Sequence, residues 1–166
     1  MTDDPLHSEP TLKDPFARQS IRTGVFYQDP DRALKWLSAA FGLTVSMDVR
    51  DADGALVHGE MSFGGSSIVI DSVWADFVTS PLFTEGRNTQ IVYIQLQAGI
   101  EAHCAHAMQS GAQIVEEPTL QPYGDVVYRA RDFEGHIWTF SQARKDVGKA
   151  EFEARSGVSI IGWHRD

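Results

Sequence analysis

The chain repeats itself. Seventy positions separate the glycine of Phe63-Gly64-Gly65-Ser66-Ser67-Ile68-Val69-Ile70 from that of Asp132-Phe133-Glu134-Gly135-His136-Ile137-Trp138-Thr139-Phe140. Both stretches read as a turn running into a strand, because Gly supplies the positive φ that turns often need and the β-branched and aromatic residues beyond it suit a pleated, half-buried surface. The same offset carries Gly54 to Gly124, each in a turn before a strand, and Asp29 to Gly99, each just before a helical pattern. It also carries Gly42 to Ala112, each just after that pattern. Agreement of order and spacing at these turns reads as an internal duplication. A duplicated chain is restricted in what it can fold into, since both halves must form the same unit.

The unit can be read from the first copy. Ile21 to Gln28 is a strand candidate, and Asp29-Pro30-Asp31 then opens a helix: an Asp N-cap, Pro at the first helical position, and an acid near the positive end of the dipole. Ala33, Leu34, Trp36, Leu37, Ala40 and Phe41 recur at helical spacing, and Gly42 stops the helix. Strands follow over Leu43–Arg50 and Ala55–Phe63, joined by an Asp-Gly hairpin, and over Ser66–Ile70. The second copy reads the same way. Its strands are Thr89–Gln97, Gln113–Glu117, Val126–Arg131 and His136–Ser141, and its helix is Glu101–Ser110 with Ile100, Cys104, Ala107 and Met108 as the apolar stripe. The expected fold is α+β: two β-α-β-β-β modules forming an eight-stranded curved mixed sheet. Residues 1–20, with Pro5, Pro10 and Pro15, read as a flexible arm; 21–142 as the domain, with modules at 21–72 and 88–142; and 143–166 as an extension. In that extension Lys145–Arg155 has helical character, and Val158–Trp163 reads either as a ninth strand or as a partner contact.

Composition narrows the function classes. A net charge of −9 with no Lys/Arg cluster argues against a nucleic-acid surface. The single Cys104 excludes an internal disulfide and fits a reducing compartment. No apolar run reaches membrane-spanning length, and the N-terminus has no apolar signal core, so the expected location is cytoplasmic.

The paired modules, the Asp-Pro start of a helix ending Ala-Phe-Gly, Tyr123-Gly124, and the closing Asp-x-x-Gly-His-x-Trp-x-Phe strand resemble the vicinal oxygen chelate superfamily, closest to its glyoxalase/bleomycin-resistance branch. The resemblance implies two modules side by side whose sheets curve into a ligand cup, and a homodimer, with the 158–163 segment placed near the interface. Metal-dependent members carry ligands on the first and last strand of each module. Laid on this sequence, those positions are Arg22, Val69, Val92 and Thr139, with Gln90 entering only if the register slips. Val has no ligating atom, Arg has no lone pair to offer, and one Thr hydroxyl is weak, so no metal and no cofactor is expected.

His58 and Glu60, two apart on one strand, share a face. The resemblance turns that face into the cup. Tyr128, seventy positions on from His58, would then enter from the other module, joined by Phe26 and Thr139, with Tyr123 at the mouth. The expected ligand site is therefore Phe26, His58, Glu60, Tyr123, Tyr128 and Thr139, with no catalytic residue. It would take a small aromatic or apolar molecule, as in drug sequestration. The opposing reading is a lyase or dioxygenase using His58 and Glu60 with a divalent metal. Trp138, out of phase with Thr139, is expected under a helix, His136 in a structural bond to its turn, and the His103/His106 pair on the polar side of its helix. Trp74 and Phe77 read equally as pocket lining or as cover for a core edge.

Overall fold

The computed structural model describes Gln19 and residues 21–162, so the expected arm apart from Gln19, and Trp163, lie outside the described residues. The elements follow the duplicated order. The first module comprises β1 (Gly24–Tyr27), α1 (Pro30–Phe41), β2 (Thr44–Arg50), β3 (Leu56–Phe63) and β4 (Ser66–Ser72). The second comprises β5 (Val92–Gln95), α2 (Ile100–Gln109), β6 (Gln113–Leu120), β7 (Asp125–Arg131) and β8 (Ile137–Ala143). A short 3-10 turn, Pro81–Phe83, lies between them, and α3 (Lys149–Ser156) follows β8. Residues 158–162 form no strand.

Local chemistry sets the helix ends. The Asp29 carboxylate accepts the Arg32 N–H at 3.0 Å, Pro30 is the first helical residue, and Gly42 closes α1 at φ 74°. No side chain caps the start of α2, where Gly99 takes φ 75°. Ile100, Cys104 and Ala107 are buried as expected, but Met108 is exposed. At about 100° per residue Met108 stands roughly 80° from Ile100 around the helix, outside the packed stripe.

The α+β class and the paired modules are as the sequence predicts, and the eight strands are divided between two four-stranded mixed sheets. Their orders are β1-β4-β3-β2 and β5-β8-β7-β6, with β1 parallel to β4, β5 parallel to β8, and the remaining pairs antiparallel. α1 packs on the first sheet, α2 on the second, and the helices touch one another. Each sheet thus has one helix-bearing face, and those faces share one core that includes Tyr27, Phe41, Met61, Ile70, Trp138 and Phe140. Trp138 is fully buried there, under the helix layer.

The two copies are not related by one constant offset. Glu60 lies opposite Val69 across β3 and β4, while Arg129, not Ala130, lies opposite Thr139 across β7 and β8. The loops explain the slip. The β3–β4 ladder closes at Phe63–Ser66 over two residues, and the β7–β8 ladder at Arg131–Ile137 over five. Gly54 and Gly124 occupy equivalent turns at φ 83° and 99°. In the β3–β4 turn Gly64, rather than Gly65, takes the left-handed conformation matched by Gly135.

The longer loop locks the modules together. Asp132 Oδ1 accepts the N–H groups of Glu134, Gly135 and His136 at 2.9–3.0 Å, and Oδ2 accepts Tyr27 Oη at 2.6 Å and Trp138 Nε1 at 3.0 Å. Glu134 accepts the N–H groups of Gln28 and Asp29 at 2.8 and 2.9 Å, and the Ser80 hydroxyl at 2.6 Å. The His136 backbone closes the turn, its N–H donating to Asp132 Oδ1 and its carbonyl accepting the Asp132 N–H, but its side chain bonds elsewhere. Its Nε2 donates across the module boundary to the Phe26 carbonyl at 2.9 Å.

Candidate functional site

On β3, alternation sends Gly59 and Met61 toward α1 and presents His58 and Glu60 on the opposite, helix-free face. Phe26 and Asp71, paired across β1 and β4, share that face. His58 is held between two carboxylates: Nδ1 lies 3.2 Å from Asp71 Oδ2 and Nε2 lies 3.0 Å from Glu60 Oε1. Arg22, just before β1, pairs with Glu60 from the other side. Asp71 is steadied in turn by the Gly59 N–H at 2.9 Å.

With an acceptor at each ring nitrogen, the imidazolium satisfies both bonds and the neutral ring only one. Burial opposes that charge, but the Glu60 hydrogen bond and the Asp71 carboxylate outweigh it and raise the His58 pKa above its ordinary value. Burial also works against the Glu60 carboxylate, and the hydrogen bonds from His58 and Arg22 overcome it and lower its pKa. The four groups form a charge-balanced cluster on a half-covered strand.

The second module presents different chemistry. Tyr93, Thr139 and Arg129 lie side by side across β5, β8 and β7 on the helix-free face. Thr139 is 2% exposed and its hydroxyl has no hydrogen-bond partner, whereas Tyr93 is 68% exposed. Arg129 pairs with Glu116, and Ser141 Oγ donates to Gln95 Oε1 at 2.6 Å.

One expected member of the site is elsewhere. Tyr128 sits on the helix-bearing side, stacked on Phe140 with ring centroids 4.9 Å apart. The one-residue slip of β7 reverses its face, so the counterpart of His58 is Val127. Tyr123 lies on the β6–β7 turn and meets Phe152 of α3 edge-on, with centroids 6.0 Å apart. Phe26, His58 and Glu60 come together on one face, and Thr139 occupies the corresponding face of the other module. Trp74 and Phe77 are exposed and contact each other edge-to-face at 5.1 Å, and Phe77 joins Phe26 and His136 in lining a cavity of about 300 Å³ beneath the linker.

The helix-two histidines have roles the sequence reading missed. His103 Nε2 donates to the Phe41 carbonyl at 3.2 Å, which leaves Nδ1 to accept the Tyr128 hydroxyl at 2.6 Å. Burial lowers the His103 pKa and favours this neutral form. His106 Nε2 donates to the Ala39 carbonyl at 2.7 Å. The seventy-residue repeat places α2 in the fold but does not say that it faces α1, so these contacts had no local signal.

The positions at which the resemblance places metal ligands are also corrected by the register. Val92 points to the helix side, and Tyr93 is the β5 residue beside Thr139; in the first module Gly24, not Arg22, lies beside Val69. Gly24, Val69, Tyr93 and Thr139 offer a phenol and a hydroxyl, short of the roughly three ligands a divalent ion needs. Nor does the His58 cluster fit one, because both ring nitrogens are engaged and the Arg22 guanidinium already holds Glu60. Among the described residues, no group of three or more His, Cys, Asp or Glu side chains is arranged to hold a metal ion. No described helix is long and apolar enough to cross a membrane.

The same architecture occurs in solved structures. TioX from Micromonospora sp. ML1 is 25% identical, with 75% of this chain and 99% of that one covered and a TM-score of 0.57. TnmS3, an antibiotic binding protein from Streptomyces sp. CB03234, is 16% identical, with 76% and 98% covered and a TM-score of 0.57. A glyoxalase/bleomycin resistance protein from the same Streptomyces strain is also 16% identical, with 72% and 96% covered and a TM-score of 0.55. No curated protein matches the chain. The sequence profile of the Glyoxalase/Bleomycin resistance protein/Dioxygenase superfamily matches residues 20–140, the stretch that folds into the two modules, and the chain belongs to that superfamily.

Proposed function

We propose that this protein binds a small aromatic or apolar molecule on its helix-free faces without the help of a metal, and that its role is sequestration rather than turnover. The observation that carries the reading is the set of side chains at the centre of those faces. Gly24, Val69, Tyr93 and Thr139 present an aromatic ring, apolar surface and one unpaired buried hydroxyl where a metal-dependent member would need imidazoles and carboxylates. Phe26 adds an aromatic wall, and His58 with Glu60 adds a polar anchor of fixed geometry. The antibiotic binding described for TnmS3, a protein of the same fold, is consistent with such a role. The protein acts as a homodimer, with the segment from Val158 onward near the interface, and small molecules rather than nucleic acids or membranes are its partners.

The test is a fluorescence titration with bleomycin and other flat aromatic compounds, with and without a chelator. A saturable change, insensitive to the chelator and weakened about tenfold or more in His58→Ala, is expected. Stoichiometric zinc, nickel, iron or manganese in the purified protein, required for binding or turnover, would replace this reading with a metal-dependent lyase or dioxygenase.

A further inference from the structure

An apolar recess lies on the other side of the sheets, where the β3–β4 hairpin of the first module meets edge strand β5 of the second. Its volume is about 430 Å³, within the range of about 300–1,000 Å³ typical of pockets for drug-sized ligands. Met61 and Ile68 come to it from the helix-bearing side of β3 and β4, and Ile94 and Trp138 from the same side of β5 and β8. All four are less than a tenth exposed. Phe63 adds aromatic surface, and Tyr93, whose strand β5 is at the sheet edge, borders both this recess and the helix-free face.

The chemistry of this recess is selective. Among the described residues sixteen line the recess and none of them carries a charge, although charged residues make up 22% of the chain. A charged guest would lose its hydration and find no counter-charge, which excludes ions as ligands. Hydroxyls of Thr23, Ser66 and Ser67 and the amides of Gln95 and Gln97 offer hydrogen bonds to a neutral polar group. The backbone leaves room as well. A side chain at Gly65 would meet nothing within 4 Å, and Gly65 does not occupy the left-handed region.

We propose that this junction is a second ligand site, taking one uncharged, largely apolar aromatic molecule between the modules, separate from the helix-free faces that carry His58 and Glu60. A guest there touches β3 and β4 of one module and β5 and β8 of the other, so its binding also strengthens the junction.

The probe is N-phenyl-1-naphthylamine, neutral and fluorescent in apolar surroundings, titrated into the full-length protein and read through energy transfer from tryptophan. Saturable binding is expected, and one probe per chain should still bind in His58→Ala, where the helix-free site is weakened. Gly65→Trp, which fills open space at the wall, and Ile91→Asp, which puts a charge into it at a residue already 36% exposed, should each weaken binding about tenfold or more. Val57→Asp, at an exposed apolar residue away from the recess, and His58→Ala, on the opposite face, should leave it unchanged. Circular dichroism checks that each variant is folded. The proposal is overturned if no saturable binding occurs, if Gly65→Trp and Ile91→Asp both bind normally while folded, if His58→Ala abolishes binding, or if affinity falls as protein concentration rises because a second copy covers the recess. Since the site described above is tested by His58→Ala and this one by Gly65→Trp and Ile91→Asp, the two readings fail independently.

Discussion

Asp132 is the residue whose loss the structure prices most sharply. Its carboxylate is 5% exposed and accepts from three backbone N–H groups of its own loop, from Tyr27 of the first module and from Trp138 of the second. Tyr27 and Trp138 are both fully buried, so Asp132→Ala takes the carboxylate acceptor from a buried phenol and a buried indole N–H. Each orphaned buried donor costs about 1–3 kcal/mol, and together they predict a loss of about 2–6 kcal/mol before any loosening of the loop is counted. In a chain of this size that corresponds to a fall in Tm of roughly 4–24 °C. Tyr27→Phe removes one donor and leaves Oδ2 with the Trp138 N–H, so it should cost only about 1 kcal/mol. The two effects should not add, because the phenol has lost this acceptor once Asp132 is gone; a coupling of about 1 kcal/mol or more is expected in the double variant. Urea unfolding followed by tryptophan fluorescence measures all three, with m held constant as the check on two-state behaviour. A loss below about 1 kcal/mol in Asp132→Ala, with Tyr27→Phe additive to it, would refute the claim that this carboxylate couples the modules.

Other expectations follow from particular residues. Gly124→Ala should destabilise far more than Gly54→Ala by urea unfolding, although both need positive φ, because the new Cβ would lie 2.3 Å from the Lys145 carbonyl at Gly124 and in open space at Gly54. Burial lowers the His103 and His136 pKa values, so the unfolded chain binds more protons below about pH 6.5 and the urea midpoint should fall as pH drops from there. His58 acts in the opposite sense: its raised folded pKa contributes stability fully present below about pH 6.5 and lost as pH rises through the folded value, and His58→Ala should flatten that limb of the profile. Removing residues 158–166, which begin at half-exposed Val158 and include the almost fully exposed Ile161, should shift the sedimentation of a homodimer toward monomer; an unchanged coefficient would remove that segment from the interface.

What the sequence determined by itself was local or periodic. Asp29-Pro30 and Gly42 bound α1, alternation along β3 put His58 and Glu60 on one face, and the phase of β8 put Trp138 under the helices. These features depend on neighbours within a few positions, where cap chemistry and the helix and strand periods act directly. The repeat itself was legible for the same reason, since turns and caps recur with their residues. Only the tertiary structure decided the rest. The five-residue Asp132 loop slips β7 by one position, which moves Tyr128 into the core and puts Arg129 beside Thr139. A slip of one residue is small in sequence but reverses every side chain in the strand. His103, His106, Glu134 and His136 find their partners across the module boundary at separations of about 60 to 110 positions. Such partners are chosen by how two folded surfaces meet, and that is settled by packing of the whole chain rather than by any pattern along it.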